Sequence, residues 1–210
     1  MVTLGFEEKF AVRALVRRGL GIGDCVIALT GPIIGKVRKA IEYLGNFLKY
    51  FEGIEFNVIE VSEVYDFVDA VYKIKSIITK TLTKYERVYV NLSGGMRALV
   101  IEVLTATCLL PRELKLRVSI ELDTEDDKAT VEIPIELNLL INPPELGAKE
   151  KVLAEIVRSG ELDIYTLAQK LGKDVTTLRR QIDFLKSLGL VKVTYRPLKV
   201  TAKNVAKLFI

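Results

Sequence analysis

Histidine is absent from the 210 residues of this chain. Without it, the sequence has no Ser-His-Asp or Cys-His nucleophile system, no His-ligated zinc and no imidazole acid–base group near neutral pH. An enzyme built from this sequence would have to work with carboxylates, lysines, hydroxyls or positioning alone. We expect a protein that is not an enzyme, with no catalytic residue, no metal and no cofactor.

Cysteine is scarce and long apolar runs are missing. Cys25 and Cys108 stand singly inside apolar segments, a setting that favours buried thiols over a disulfide or a metal pair. The longest apolar candidate, Val103 to Pro111, is about half the roughly 18 residues of a membrane-spanning helix. The N-terminus lacks a basic region followed by an apolar stretch. The sequence therefore predicts a soluble, cytoplasmic protein with no membrane partner.

Two adjacent glycines mark the stretch around which we organise the chain, Arg87 to Ala98, written RVYVNLSGGMRA. A β-rich run ends at Ser93-Gly94-Gly95, and an apolar, helix-periodic segment follows from Met96. Such a strand, turn and helix start place free backbone N–H groups and the positive end of a helix dipole at the mouth of a parallel sheet. Arg97 would add a planar cation for a phosphate. The turn matches neither a Walker A loop nor G-x-G-x-x-G, so it does not indicate a nucleoside triphosphate or a dinucleotide.

Strand-like and helix-like segments alternate four times before residue 111. This alternation predicts an α/β fold with a doubly wound, Rossmann-like, mostly parallel sheet. Alternating segments at 115–121 and 129–136, around an acidic turn at 124–127, predict an antiparallel hairpin at the sheet edge. Ligands of such sheets bind at the carboxyl ends of the strands, where the strand order reverses. The turns predicted at that edge are Gly5-Phe6, Thr30-Gly31-Pro32 and Ser93-Gly94-Gly95.

The segment Asn142 to Gly147, with two adjacent prolines, breaks the α/β pattern and predicts a domain boundary. From Ala148 on, the chain has 13 Lys and Arg against 6 Asp and Glu, whereas the preceding part has 18 against 21. A basic terminal module indicates a polyanionic partner. We therefore divide the chain into a domain at 1–141, a linker at 142–147 and a domain at 148–210.

The basic domain shows the pattern of a winged helix-turn-helix. Helix-periodic segments cover Lys149 to Ser159, Ile164 to Leu171 and Val175 to Leu188, with Gly172-Lys173 joining the last two. Hydroxyl and guanidinium groups near the start of the third segment suit a recognition helix in the major groove, and basic groups on the wing suit the phosphate backbone. The predicted contacts to double-stranded DNA are Thr176, Thr177, Arg179 and Arg180 on the helix, and Lys192, Arg196 and Lys199 on the wing.

Each of these two features also has a purely structural interpretation. The glycines at Gly94 and Gly95 would serve as a simple turn between a core strand and its helix. The basic domain would serve as a helical cap with a solvated basic face, or as a protein-interaction module.

Four motifs then carry a resemblance to a known family. They are TLGFEEKF (Thr3 to Phe10), LTGPIIGKVRKAIEYL (Leu29 to Leu44), NLSGGMR (Asn91 to Arg97) and LAQKLGKDVTTLRRQIDFLKSLGLV (Leu167 to Val191). With these motifs the chain resembles archaeal CRISPR-associated transcription regulators, which join an N-terminal CARF domain (CRISPR-associated Rossmann fold) to a C-terminal winged helix-turn-helix. The glycine-methionine-arginine turn is fairly specific for CARF domains, whereas the winged-helix pattern is generic.

The resemblance implies a homodimer whose CARF domains form a pocket across the two-fold axis. It implies that this pocket senses a cyclic oligoadenylate, with cyclic tetra-adenylate as the expected ligand, and that the protein regulates CRISPR-cas transcription by binding DNA at CRISPR-locus promoters. Carried over by position, the ligand contacts are Gly5 and Phe6 in one loop, Ser93, Gly94, Gly95, Met96 and Arg97 in another, and Thr30 and Gly31 as a weaker match.

Two other functions stay open at this point. Some proteins of the wider CARF group cut their ligand without a metal by using its own 2′-hydroxyl, so a ring nuclease is one alternative. The other is a constitutive DNA-binding protein whose ligand pocket is vestigial.

Overall fold

A computed structural model of the chain describes residues 1–126, 128–134, 136 and 144–210. It divides into two compact units, Met1–Ile135 and Glu136–Ile210. Residues 142 and 143 of the predicted linker lie outside the described residues. Leu146, from the other end of that linker, is buried in the core of the second unit.

The first unit is built on one six-stranded sheet with the strand order β3-β2-β1-β4-β5-β6. Its first five strands run parallel, and β6 is antiparallel to β5. The predicted α/β class, with its mostly parallel sheet and antiparallel edge, is confirmed. The strands are β1 (Val2–Leu4), β2 (Cys25–Thr30), β3 (Glu55–Glu60), β4 (Val88–Asn91), β5 (Val118–Asp123) and β6 (Thr130–Ile133).

Helices cover both faces of this sheet. The helices α1 and α2 pack on one face against Val2, Leu4 and Ala28, while α3 and α4 pack on the other face against Leu29 and Val90. Neighbouring strand residues thus point into opposite cores, as expected for a sheet covered on both sides. The helices are α1 (Lys9–Arg18), α2 (Gly35–Leu48), α3 (Phe67–Lys84), α4 (Arg97–Cys108) and the short α5 (Arg112–Lys115), with a 3-10 turn at Ser62–Tyr65.

One detail of the predicted edge hairpin is wrong. Its first arm was expected to begin at Lys115, but Lys115 ends α5, and β5 then extends the parallel sheet by pairing with β4. The apolar and polar alternation in this segment arises because one face of β5 meets the core and the other carries buried carboxylates. Residues 127 and 135 of the predicted hairpin lie outside the described residues.

The strand order places a topological switch point between β1 and β4. The chain leaves β1 toward β2 on one side, and β4 lies on the other side with β5 beyond it. The connections on the two sides of this point lead away from each other, which leaves a crevice at the carboxyl ends of β1 and β4. The turns after these two strands are therefore placed to bind a ligand.

The second unit contains three helices and a small antiparallel sheet with the strand order β7-β9-β8. Its core packs Leu153 and Ile156 against Leu167, Leu178 and Ile182. The elements are a 3-10 turn (Gly147–Lys149), α6 (Glu150–Ser159), β7 (Leu162–Asp163), α7 (Ile164–Leu171), α8 (Val175–Ser187), β8 (Val191–Thr194), β9 (Lys199–Ala202) and a 3-10 turn (Asn204–Phe209). Helices and hairpin follow the order predicted for a winged helix-turn-helix.

Local signals set the boundaries of α7 and α8. Gly172 ends α7 in the left-handed region, with φ +60°, a conformation that glycine adopts without steric cost. Asp174 then caps α8, because its carboxylate accepts the backbone N–H of Thr177 at 2.8 Å. The tight connection between these two helices is thus encoded by a glycine and a capping aspartate.

Candidate ligand and nucleic-acid sites

The turns after β1 and β4 are in direct backbone contact. A Cβ atom added to Gly5 would lie 2.9 Å from the Gly95 Cα, and one added to Gly94 would lie 2.6 Å from the Thr3 carbonyl oxygen. Gly95 itself has φ +90°, which disfavours any residue with a side chain. These positions need glycine because two main chains approach each other closely.

Two side chains and one backbone N–H group, from three different strands, hold the Ser93-Gly94-Gly95 turn in place. The Thr3 hydroxyl donates to the Gly94 carbonyl at 2.6 Å, and the Ser93 backbone N–H donates to the Asn91 side-chain oxygen at 3.1 Å. The backbone N–H of Asp123 donates to the Ser93 hydroxyl oxygen at 2.7 Å. The turn is thus shaped before any ligand arrives, which lowers the entropy cost of binding.

Helix α4 begins immediately after this turn. Its N-cap residue, Met96, has extended backbone angles and provides no side-chain hydrogen bond to the first turn. The N–H groups at the start of α4 therefore lack the usual cap, and the helix dipole favours an anion at this end. Arg97 is exposed at the same place. The strand, glycine turn and helix start that the sequence predicts are all present.

The turn after β2 reaches the same edge. Thr30 is the last residue of β2 and pairs with Leu4 at the end of β1. A Cβ added to Gly31 would lie 2.6 Å from the Met96 sulfur. The structure thus brings Thr30 and Gly31 next to the other two turns, so the residues predicted as ligand contacts share one edge of the sheet.

Two cavities open at this edge. One, of about 360 Å³, is lined by Phe6, Glu7, Lys9, Phe10, Ser93, Gly94, Gly95 and Glu125. The other, of about 280 Å³, is mainly apolar and is lined by Leu4, Gly5, Phe6, Thr30, Gly31, Pro32, Ile34, Val37, Tyr65, Gly95 and Met96. Phe6, from the turn after β1, and Gly95, from the turn after β4, line both cavities.

The charges around the larger cavity are mixed. Glu7 and Glu125 line it, and the ammonium of Lys9 lies 3.2 Å from the Glu7 carboxylate. Lys36, in the first turn of α2, lies 5.6 Å from the centre of the Phe6 ring and adds a cation that the sequence did not single out. Its only signal was its place just after the glycine turn of β2. The groups here that could pair with an anion are therefore mainly backbone N–H groups, Arg97 and Lys36.

A buried ion network lies beneath the Ser93 turn. Arg17 donates to Asp123 and to Glu121, at 2.6 Å each, and Arg18 donates to the second oxygen of Glu121 at 2.6 Å. Burial alone would raise the pKa of Asp123, but hydrogen bonds from Thr130 and Arg17, together with the Arg17 charge, outweigh it and hold the pKa below its usual value. Because the Asp123 backbone also holds Ser93, this network supports the binding turn.

The second unit presents most of the predicted DNA contacts on its surface. Thr176, Thr177, Arg179 and Arg180 are exposed on α8, while the intervening Leu178 is buried. This alternation arises because one stripe of α8 packs on the core and leaves the other exposed to solvent.

The three predicted cations of the wing have different surroundings. Lys192 and Arg196 are exposed. The ammonium of Lys199, however, lies 2.6 Å from the Glu161 carboxylate. This ion pair raises the pKa of Lys199 and partly neutralises its positive charge. Lys186, which sequence reasoning missed, donates to the Tyr195 hydroxyl at 3.1 Å and joins α8 to the wing.

Two further findings concern metal binding and membrane insertion. Among the described residues, no group of three or more Cys, Asp or Glu side chains could hold a metal ion. None of the helices in the described ranges is long and apolar enough to cross a membrane.

Fold and site together define a two-unit protein with a Rossmann-like domain and a basic helical unit. Residues 1–134 match the family described as the Csa3 CRISPR-associated Rossmann-like domain, and the chain belongs to this family. The match confirms the resemblance to CRISPR-associated regulators with a CARF domain.

A relative from Thermoproteus tenax is similar along nearly the whole chain. It is 28% identical over 208 residues, which cover 91% of this chain and 84% of the relative. That protein is named Csa3 and described as related to the CRISPR locus, with DNA binding as its proposed role. The similarity extends past residue 134 and so includes most of the basic unit.

Proposed function

We propose that the protein regulates CRISPR-cas transcription by binding double-stranded DNA with its second unit, in response to a cyclic oligoadenylate bound by the first. The observation that carries the proposal is the uncapped start of α4 at the switch point of a CRISPR-associated Rossmann-like domain. The turn that precedes it is held by Thr3, Asn91 and Asp123. In this account the protein is a regulator and not an enzyme.

The residues at the sheet edge suit the chemistry of a cyclic oligoadenylate. Its phosphates need hydrogen-bond donors and positive charge, which the N–H groups of α4, Arg97 and Lys36 supply. Its adenines need apolar surfaces, which Met96 and Phe6 supply because both are partly exposed, at 39% and 58%. We propose cyclic tetra-adenylate as the ligand.

A homodimer would place two such sites around one ring. The turn at Ser62–Tyr65, α3 and α4 pack against one another, and they expose large apolar side chains at Val68 (73%), Tyr72 (73%) and Ile101 (55%). Exposed apolar side chains on adjoining elements mark interaction surfaces. We propose that a second copy of the chain covers this surface, so that the two α4 N-termini face the same ring of phosphates.

In the second unit, we propose that α8 is the recognition helix. Its first turns expose two hydroxyls and two guanidinium groups, and the exposed Lys192 and Arg196 on the wing suit flanking phosphates. A dimer would carry two such helices and would bind paired half-sites. Ligand would change DNA affinity if it binds one arrangement of the dimer more tightly than another.

The experiment that tests the DNA assignment compares two variants with the same loss of charge. Arg179→Ala with Arg180→Ala removes two guanidinium groups from α8, whereas Lys151→Ala with Lys207→Ala removes two exposed cations elsewhere in the unit. A guanidinium–base contact contributes about 1–3 kcal/mol, so the first variant should weaken promoter binding by at least about 30-fold and the second much less. Both should still bind cyclic tetra-adenylate. Unchanged DNA affinity in the α8 variant would refute the assignment.

A turnover assay separates this function from that of a ring nuclease. We expect labelled cyclic tetra-adenylate to stay intact during long incubation with the protein in the absence of metal. Linear products would instead show that the protein cuts its ligand.

A further inference from the structure

The smaller cavity at the sheet edge combines an apolar lining with one buried hydroxyl. Its volume of about 280 Å³ lies just below the roughly 300–1,000 Å³ of pockets that enclose a whole drug-sized ligand. It therefore suits one flat ring and not an entire cyclic oligonucleotide. We call it the Thr30 pocket; its apolar side chains are Leu4, Phe6, Pro32, Ile34, Val37 and Met96.

Thr30 is the unusual residue of this pocket. It is 1% exposed, and its hydroxyl oxygen has no hydrogen-bond partner within the described part of the chain. A buried hydroxyl without a partner is unfavourable and uncommon, and it commonly indicates a group that is satisfied by something else. A threonine hydroxyl both donates and accepts, so it can pair with either kind of polar atom on a ligand.

The walls of the Thr30 pocket suit a flat ring. The Met96 sulfur lies against the Gly31 backbone, because a Cβ on Gly31 would come within 2.6 Å of it. Phe6 and Tyr65 present exposed rings at the pocket. Thioether and aromatic surfaces both pack favourably on the face of a heteroaromatic ring. Thr30 and Tyr65 are the two lining residues that carry a polar side-chain group.

We propose that the Thr30 pocket holds one adenine base and that the Thr30 hydroxyl hydrogen-bonds to the polar edge of that base. The inference rests on the proposed function, because the base belongs to the cyclic oligoadenylate whose phosphates lie at the start of α4. It makes Thr30 a specificity-determining residue. An apolar slot alone discriminates poorly between purines, whereas a hydroxyl that pairs with one polar edge discriminates strongly.

The test replaces the hydroxyl with a methyl group of the same shape, Thr30→Val. Removing a buried hydroxyl without a partner should leave the free protein equally or more stable, as measured by thermal unfolding. Affinity for cyclic tetra-adenylate should nevertheless fall by at least about tenfold, because the proposed dimer would lose one hydrogen bond in each of its two pockets. Thr30→Ser should keep most of the affinity.

A buried threonine outside the pocket provides the matched control. Thr107 is 0% exposed, and its hydroxyl donates to the Val103 carbonyl. Thr107→Val should therefore lower stability but leave ligand affinity unchanged. Thr30→Val should thus affect affinity without loss of stability, and Thr107→Val should affect stability without loss of affinity, which separates a role in ligand binding from a role in folding.

The second arm varies the ligand. Cyclic tetra-inosinate keeps the ring and the phosphates but changes the polar edge of each base. The wild-type protein should bind it at least about tenfold more weakly than cyclic tetra-adenylate, and Thr30→Val should lose most of that preference. This comparison in the wild-type protein requires no variant to fold.

The outcomes distinguish the two levels of the account. If the wild-type protein binds neither ring, the proposed function fails and the base pocket fails with it. If the wild-type protein binds cyclic tetra-adenylate, but Thr30→Val keeps the full affinity and the full preference over cyclic tetra-inosinate, the base pocket is overturned and the proposed function stands.

Discussion

At the scale of single residues, Gly94 is the position most constrained by its neighbours. A side chain there would meet the Thr3 carbonyl oxygen at 2.6 Å, and a backbone atom held in a sheet has little room to move. We expect Gly94→Ala to lower the free energy of unfolding by about 1–3 kcal/mol, the usual range for overpacking, and to weaken cyclic tetra-adenylate binding because the turn must shift.

A second glycine gives the control for this prediction. Gly35, in the first turn of α2, has open space around the position of a Cβ, and alanine favours the helix. Gly35→Ala should be neutral or stabilising in the same denaturation measurement. Equal destabilisation by both variants would contradict the close packing of the turns.

Glu102 predicts a dependence of stability on pH. This residue of α4 is 1% exposed, one carboxylate oxygen has no partner among the described residues, and burial raises the pKa of the side chain. The folded state thus holds the proton more tightly than the unfolded state, so stability is lost as pH rises from the unfolded pKa through the raised folded pKa.

The substitution Glu102→Gln keeps the shape and removes the charge. It should raise the melting temperature more at pH 8 than at pH 4.5, because the glutamine variant does not lose the stability that the wild-type carboxyl group loses as pH rises. An equal change at both values would show that the Glu102 charge does not matter for folding.

At the scale of elements, Arg17 ties α1 to β5. The Arg17 side chain is one-third exposed, whereas the Glu121 and Asp123 side chains that it pairs with are 4% and 2% exposed. Removing one partner of a buried ion pair costs about 3–5 kcal/mol, and partial exposure of Arg17 reduces this. We therefore expect Arg17→Met to destabilise the protein by about 2–4 kcal/mol at pH 7.

The neighbouring arginine is the matched control for that prediction. Arg18 pairs only with Glu121 among these carboxylates, so Arg18→Met should cost less. The pKa of Asp123 is lowered in the wild type, so its contribution is lost as pH falls through the folded pKa, and the Arg17→Met defect should shrink in acid. A defect independent of pH, or equal in the two variants, would contradict this network.

The wing makes a prediction about salt dependence. Each phosphate contact adds about −0.9 to the slope of log affinity against log salt concentration. Lys192 is exposed, whereas the Lys199 ammonium lies 2.6 Å from Glu161. Lys192→Ala should therefore flatten the slope for promoter DNA by about 0.9 per copy, and Lys199→Ala by clearly less. Equal slopes for the two variants would contradict the neutralised role of Lys199.

The elements also show how far sequence reasoning reaches. Continuous apolar strands such as β2, and turns marked by adjacent glycines such as Gly94 and Gly95, could be predicted because their signals are local. The two-residue strand β7 could not, since it is too short for any alternation. The hydrogen bonds of Thr3 and Asp123 to the turn were also missed, because they join positions 91 and 30 residues apart in the chain. Only the folded sheet brings these positions together.

At the scale of the whole molecule, the two parts of the chain differ in net charge. From residue 148 on, basic residues exceed acidic ones by 13 to 6, whereas the preceding residues are slightly acidic. In the proposed function, the basic unit attracts DNA through long-range electrostatics, while the first unit holds its anionic ligand through backbone donors and few cations. A regulator can then hold DNA and ligand at separate sites whose occupancies are linked only through the protein.

The central claim is that the two sites are coupled. The most direct measurement is the affinity for the protein's own CRISPR-locus promoter DNA with and without saturating cyclic tetra-adenylate, at one stated salt concentration. The account predicts a shift of at least about fivefold, the lower end of typical allosteric coupling. The same affinity in both conditions would contradict the account and leave a plain DNA-binding protein.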